Sequence, residues 1–505
     1  MSIARVYTIQ PDILRGTVVT IEADISRGLH AFSVVGLAGK AVDEAKDRVG
    51  SAIKYSGYTS PKTKNNKVVI SLSPADLKKE GPLFDLPIAI AYLVAAKEIS
   101  IDNIKRVYIG ELSLDGSLRP VKGVLNSTLA AKEAGFQEII VPQENAEEAA
   151  LIDDIVVIPA KNLKAVIEHI LLDRNESISS IAPQTATIIN DGWHESSVNL
   201  EDIKGQESAK RGLIIAAAGR HNVMLVGPPG TGKTMLARAL RTLLPPLTRE
   251  ESLAVTAIHS LANSDFSIST KPPFRSPHHT ASHVSLVGGG TNPKPGEVTL
   301  AHFGVLFMDE FPEFDRRSLD SLRQPLEDRV VTISRIQSSV EFPADFILVA
   351  ALNPYRGSED GTKDLARAMQ ETYKNKVSGP ILDRIDLWLE VPHVPYDTLT
   401  TISTKQNETT EARELILSAR QKQAHRFTQT TTNTNSGMTA HDIDELINLT
   451  SDVKDLLKTS SARLNLSPRS YHRLIKVART IADLDNSEEI AVSHLLEALQ
   501  YRVTL

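Results

Sequence analysis

The segment Asn222-Val223-Met224-Leu225-Val226-Gly227-Pro228-Pro229-Gly230-Thr231-Gly232-Lys233-Thr234 joins a short apolar run to a glycine-rich turn and a Lys-Thr pair. That spacing suits phosphate. Glycines let backbone N–H groups turn inward around an anion, the lysine puts a cation on the outer phosphate oxygens, and the next hydroxyl is placed for Mg²⁺. Gly227, Pro228, Pro229, Gly230, Thr231, Gly232, Lys233 and Thr234 are therefore the candidate nucleotide-binding residues, and the helix opening at Lys233 aims its positive end at the same anion. Further on, Val305-Leu306-Phe307-Met308-Asp309-Glu310 reads as a buried strand ending in two acids. Asp309, with Thr234, is the candidate Mg²⁺ holder, and Glu310 is the candidate that orients or deprotonates the water attacking the γ-phosphate of ATP. An ordinary strand before a solvated acidic turn has the same pattern. The phosphate loop upstream favours catalysis, because both acids then fall at one sheet edge. Asn353 ends the apolar run 346–351, where an amide can sense the γ-phosphate through the attacking water.

Two arginines extend the set. Arg384 stands just before the apolar run 385–389, and either makes a salt bridge with Asp383 or Asp386 or completes a neighbour's active site. Arg469 and Arg473 lie four apart in the first turns of a C-terminal helix, where they would close a lid over the nucleotide. His278, His279 and His283 invite a metal, but no carboxylate sits among them, and a loop with a basic, hydrogen-bonding tip is the favoured reading.

The elements that must position these residues follow from pattern. Mixed strands (17–23, 68–72, 138–141) and helices (42–54, 87–97, 124–134) predict an α/β domain over 1–172 without a phosphate loop of its own. Residues 173–200 are polar and broken and read as a linker. Helices over 208–218 and 233–244 flank the phosphate-loop strand, and the Pro245-Pro246 pair stops the second. Residues 319–327 read as helix and 328–335 as a hairpin strand to which Arg329 and Arg335 lend positive charge. Beyond 396 the chain is helical. Residues 428–437 form a low-complexity exposed loop, Thr439 with Asp442 is a cap, Ser467-Pro468 starts a helix through 484, and Asn486 with Glu489 caps the last one.

Composition sets bounds. A chain of 505 residues, 41% hydrophobic and 23% charged, is expected to hold about three globular domains. A net charge of −6 argues against a general coat for nucleic acid and leaves room for a local basic stripe. With no cysteine, disulfides, thiolate metal sites and cysteine nucleophiles are excluded. No apolar run approaches the ~18 residues of a membrane span and the start lacks a signal-peptide core, so no membrane and a cytoplasmic location are expected.

The phosphate loop, Asp309-Glu310, Asn353, Arg384 and the C-terminal helices with Arg469 together resemble an AAA+ ATPase. Pro273-Phe274-Arg275-Ser276-Pro277-His278-His279, Val287-Gly288-Gly289-Gly290, Pro295-Gly296-Glu297 and the 300–310 stretch resemble, more narrowly, the magnesium-chelatase-like YifB/ComM family. The loop 74–87 resembles the one before the catalytic helix of Lon-type proteases, in which a serine follows the Gly-Pro and pairs with a lysine; here Leu83 stands at the serine position and Lys122 is offset from the lysine position. The resemblance implies an α/β fold: a Lon-like domain lacking the catalytic dyad (1–172), an AAA+ core with a helix-2 insertion and a pre-sensor hairpin (201–395), and a C-terminal helical lid (396–505). It implies ATP and Mg²⁺ as cofactors, a hexamer, and a DNA motor driving branch migration on single-stranded and branched DNA during recombination or natural transformation, with recombination proteins as partners. The insertion at 251–303 and the hairpin at 328–340 would face the central channel. Many relatives carry a cysteine cluster after Asn-Pro, and here Tyr355-Arg356-Gly357-Ser358-Glu359-Asp360 stands instead. The competing functions are the motor subunit of a metal chelatase and an ATP-dependent protein remodeller or protease.

Overall fold

The computed structural model describes residues 4–12, 16–29, 31–37, 39–63, 65–79, 81–101, 104–171, 180–189, 192–193, 198–262, 268, 270–290, 294–334, 339–353, 378–397, 407–430, 432–464 and 466–502. Two compact units emerge, Met1–Asn190 with Arg249–Ser269, and Asp191–Thr248 with Thr270–Leu505.

The first unit is built on a seven-stranded mixed sheet, in the order Ala31–Val35, Asn66–Ser73, Gly16–Arg27, Ala4–Pro11, Arg106–Tyr108, Glu138–Pro142, Val156–Ala160. The almost wholly apolar helix Asp85–Ala95 is buried through most of its length. Asp85 opens it fully buried, held by Arg48 at 2.7 and 3.1 Å and by the Leu112 N–H at 3.2 Å. Leu83, at the position where the resemblance has a serine, is packed in the apolar core, while Lys122 is exposed and donates to Ala262 O at 3.3 Å.

The segment Arg249–Ser269, expected within the insertion of the nucleotide module, belongs to this first unit. Its helix Arg249–Ala262 puts Ala257 against Leu125, Leu151 and Ile152. Ser260 Oγ accepts from Gly123 N at 3.2 Å and donates to the buried Glu148 at 2.5 Å, and Arg249 reaches Asp153 at 2.5 Å. Part of the expected linker is also laid down on this unit, since Gln184 N donates to Val157 O and Thr187 N to Ala150 O. Extended polar chain donates to carbonyls as readily as an apolar strand does, so composition alone reads it as free.

The second unit holds a five-stranded sheet in the order Phe274–Arg275, Val305–Met308, Ile347–Leu352, Val223–Val226, Leu387–Glu390, parallel throughout. The three central strands carry no exposed residue, as expected of parallel strands covered on both faces. The helix Glu207–Gly219 approaches so closely that a Cβ on Gly212 would fall 2.3 Å from Leu389. No contact boundary appears near residue 395. Ile416 and Ala419 of Glu408–Arg426 and Leu474, Ile475 and Ile481 of Pro468–Leu484 share one apolar core with Leu213, Leu225 and Leu389.

The stretch 428–437 is not the exposed loop that its composition predicts. Asn435 is fully buried: its side chain donates to Asp483 at 2.8 Å and Thr480 at 3.1 Å, and accepts from Arg426 at 2.9 Å. Its polar groups find polar helix partners, which low complexity does not reveal. The residues 319–327 form two helices, Arg316–Asp320 and Arg323–Asp328. The last helix starts at Val492, with Asn486 in a left-handed turn (φ 59°) outside it. The hairpin Val330–Ser334 with Ser339–Pro343 forms, and Arg329 at its base is paired with Asp345 at 3.2 Å. Arg335 and residues 354–360 lie outside the described residues.

Candidate functional site

Parallel strands end together, and this brings the chemistry to one edge of the second unit's sheet. Val226 pairs with Leu352 and Met308 with Ala350, so Gly227, Asp309 and Asn353 leave the sheet side by side. Gly227 N donates to Leu352 O at 3.2 Å, and a Cβ at Gly227 would fall 2.1 Å from Val391 O, so only glycine fits between the two strand ends. The turn through Pro228, Pro229, Gly230 and Thr231 is closed by Thr231 Oγ1 donating to Pro228 O at 2.9 Å. Gly232, at φ 92°, turns the chain into the helix Lys233–Leu243.

Lys233 is largely buried and donates to Gly227 O at 2.8 Å and Pro228 O at 2.7 Å. Burial lowers its pKa, and the charge of Asp309 opposes that shift, which places the carboxylate within electrostatic reach of the ammonium. Thr234, Asp309 and Glu310 are exposed. A hydroxyl and a carboxylate on one edge are the hard oxygen donors that Mg²⁺ takes alongside phosphate and water, so this pair fits that ion.

Glu310 stands in left-handed backbone, φ 51°, with its N–H donating to Asp309 Oδ1 at 2.9 Å. Its Oε2 lies 3.3 Å from His279 Nδ1. His279 therefore neighbours a catalytic candidate, and among the described residues no group of three or more His, Asp or Glu could hold a metal. Asn353 Oδ1 is buried with no hydrogen-bond partner among the described residues. An unmatched buried acceptor is disfavoured by about 1–3 kcal/mol, which fits an amide that addresses a ligand's water rather than the protein.

The arginines are elsewhere. Asn222, at the opposite end of the phosphate-loop strand, ties three strand entries together: its side chain accepts from Leu348 N at 2.9 Å and donates to Arg384 O at 3.0 Å, and its N–H donates to Asp386 at 3.1 Å. About five strand residues, roughly 16 Å, separate that edge from Gly227. Arg384 donates to Pro380 O at 2.5 Å and is paired with Glu327; Arg469 reaches the other oxygen of Glu327 at 3.0 Å. Arg473 donates to Ile385 O at 2.6 Å. The three line a cavity of about 540 Å³ with Arg220, Arg329 and Lys476. Arg469 and Arg473, expected in a lid over the nucleotide, lie in this chain beside Glu327 and the entry of the last strand. The helix Pro468–Leu484 packs its start against the entry of the last strand and away from the phosphate loop. Arg384 pairs with Glu327, not with the Asp383 or Asp386 beside it.

Sequence reasoning missed Glu327, Asn222 and the contact of His279 with Glu310. Glu327 is 57 residues from Arg384 and 142 from Arg469, and nothing local marks it as their shared partner.

Comparison with known proteins covers nearly the whole chain. The family model "Magnesium chelatase, subunit ChlI" matches residues 199–399, "Subunit ChlI of Mg-chelatase" residues 21–145, and "Magnesium chelatase, subunit ChlI C-terminal" residues 406–502. The competence protein ComM of Haemophilus influenzae is 41% identical over 99% of this chain and 98% of its own length. The uncharacterized protein YifB of Salmonella typhimurium is 42% identical over 99% of this chain and 97% of its own length. A partial likeness reaches Lon protease 2 of Bacillus subtilis, 27% identical over 31% of this chain and 31% of that protein. With identity sustained from end to end, and with the magnesium-chelatase models on both units, the chain belongs to the magnesium-chelatase-like YifB/ComM family of AAA+-type proteins.

Proposed function

We propose that this protein is an ATP-driven DNA motor that works as a hexameric ring and moves branched or single-stranded DNA during recombination. The observation that carries the reading is the division of the site: phosphate-binding and acidic residues share one edge of the sheet, and Arg384 with Arg469 share the other. In one chain the arginines are too distant to touch their own γ-phosphate. In a ring, that edge faces the next subunit's nucleotide.

Lys233 exchanges its two carbonyl partners for phosphate oxygens of ATP, and the backbone of 227–232 wraps the β-phosphate. Thr234 and Asp309 would hold Mg²⁺, which would supply neutralisation of the phosphate charge. Glu310 accepts a proton from a water whose oxygen bonds to the γ-phosphorus, and the bond to the bridging oxygen breaks with its electron pair leaving on ADP. Asn353 orients that water. Arg384 and Arg469 of the neighbouring copy stabilise the charge that develops on the γ-phosphoryl oxygens, after Glu327 has released them.

The word competence in the Haemophilus relative's name supports DNA as the track. No described helix is long and apolar enough to cross a membrane, in keeping with a cytoplasmic motor. The buried Leu83 supports a Lon-like domain without protease chemistry. A second reading, the motor of a metal chelatase, has the names of the matching family models in its favour. One experiment separates them: the purified protein is incubated with ATP and a labelled four-way DNA junction. Branch migration that needs hydrolysable ATP supports the motor; an ATPase that ignores every DNA and responds to a protein partner supports the chelatase reading.

A further inference from the structure

The chain leaves the second unit after Thr248 and returns to it at Thr270. Both ends of that excursion are clamped at its root, since Leu247 N donates to Thr270 O at 3.3 Å and Arg241 Nε to Pro272 O at 2.8 Å. The outgoing end continues the helix Lys233–Leu243, an 11-residue rod about 16 Å long whose first turn carries Lys233 and Thr234. The returning end runs into the edge strand Phe274–Arg275, which pairs with the acid strand. Two elements of the nucleotide site thus converge on the root of one excursion.

The first unit is shaped to receive it. Gly123 stands in left-handed backbone, φ 73°, just before the helix Val124–Glu133, and a Cβ there would fall 2.9 Å from Leu261 Cδ2, so only glycine admits the excursion's helix this closely. Asn145 holds the loop before Gly123, accepting from Val121 N at 2.9 Å and donating to Val121 O at 3.0 Å. The buried Glu148 accepts from Leu125 N at 3.0 Å and Asn145 Nδ2 at 3.2 Å, and the Ser260 hydroxyl completes its shell. Burial pushes the Glu148 carboxyl up, and Ser260 is the largest of the donors that oppose the shift. Without the helix, the Gly123 N–H and a Glu148 oxygen would each lose a partner. Lys122, nearest the lysine position of the Lon resemblance, donates to Ala262 O at 3.3 Å. The place where the resemblance puts a catalytic lysine is taken up by this chain's own helix.

We propose that this surface of the Lon-like unit is a docking site for the chain's own helix Arg249–Ala262, and that the docked helix carries nucleotide-dependent movement of Lys233–Leu243 into the first unit. Close packing passes a displacement on instead of absorbing it, and the clamped root leaves little slack before the docked helix begins. The Lon-like unit then works as an arm driven by the nucleotide site. The inference rests on the nucleotide-binding reading above and needs no DNA.

The test is amide hydrogen exchange on the full chain, with and without a slowly hydrolysed ATP analogue. In wild type the analogue should slow exchange at 227–234 and also shift exchange at 121–133 and 145–152 of the first unit. Ala257→Asp with Ser260→Ala sets a carboxylate against Leu125, Leu151 and Ile152 and removes the bridging hydroxyl. That double variant should speed exchange in 249–262 by roughly tenfold or more, keep the response at 227–234 and lose the one in the first unit. Arg249 and Asp153 are half-exposed and paired at 2.5 Å, and the chain has no cysteine of its own. Arg249→Cys with Asp153→Cys, joined by a short bismaleimide, therefore ties the released helix down and should bring the first-unit response back. A helix that stays protected in the double variant overturns the assigned contacts. A first-unit response that survives release, or that the tie does not restore, overturns the transmission. A wild type that responds at 227–234 and nowhere in the first unit overturns the proposal alone, whereas no response at 227–234 overturns the nucleotide reading and the proposal with it.

Discussion

In the proposed reaction Lys233 and Glu310 act on different atoms, and substitution separates them. Lys233 offers two charge-assisted contacts to phosphate, so Lys233→Ala should weaken ATP binding by roughly a hundredfold, about 3 kcal/mol. Glu310→Gln leaves those contacts in place and should cut turnover by roughly a hundredfold or more while ATP stays bound. Fluorescent-nucleotide titration beside single-turnover hydrolysis measures both, and unchanged affinity in Lys233→Ala would contradict the assignment. At this scale the sequence was informative wherever a residue's role depends on its neighbours in the chain. Gly227 to Thr234 and Asp309-Glu310 could be read directly, because a turn and a strand end are local objects. Asn353 needed only the strand before it. The pairing of Arg384 and Arg469 through Glu327, and of His279 with Glu310, joins residues tens of positions apart, and no periodicity encodes that.

Elements carry a different kind of test. His302, just before the acid strand, is buried and accepts from Asp345 N at 3.0 Å. Burial lowers its pKa from 6.5 to about 4; the charge of Asp345 opposes the shift and Arg220 adds to it. A depressed folded-state pKa means the unfolded chain takes the proton first, so the contribution is whole above pH 6.5 and is lost as pH falls toward 4. Up to about 3 kcal/mol of the second unit's stability should go in that window. Urea midpoints at pH 7 and pH 5 should draw apart less in His302→Gln than in wild type; equal separations would remove His302 from the account. The polar segment around Asn435 makes a second case. Asn435→Ala strips partners from Asp483, Arg426 and Thr480 at once and should destabilise by about 2–4 kcal/mol, read as a lower melting temperature. Strands and most helices were legible from apolar period, but this segment was not, since its burial rests on hydrogen bonds and the sequence shows only that it is polar.

For the whole molecule, the proposed function turns on one sheet that carries the phosphate loop and Asp309-Glu310 at one end of its strands and Arg384 with Glu327 and Arg469 at the other. The α/β class and the nucleotide module followed from pattern. The helix Arg249–Ala262 did not, because its anchors Gly123, Glu148 and Asp153 lie far back in the chain. Nor did the position of Arg469, since a helix start shows its cap and not the strand it will meet. If the site is divided between copies as proposed, turnover is a property of an assembly. The most direct measurement mixes two inactive proteins. Lys233→Ala retains Arg384, and Arg384→Ala, itself expected to lose roughly a hundredfold or more in turnover, retains the phosphate loop. Mixed rings contain interfaces with both parts intact, so ATP hydrolysis should partly return on mixing, in proportion to mixed-ring content measured by light scattering. Mixed rings that form and stay inactive would contradict it.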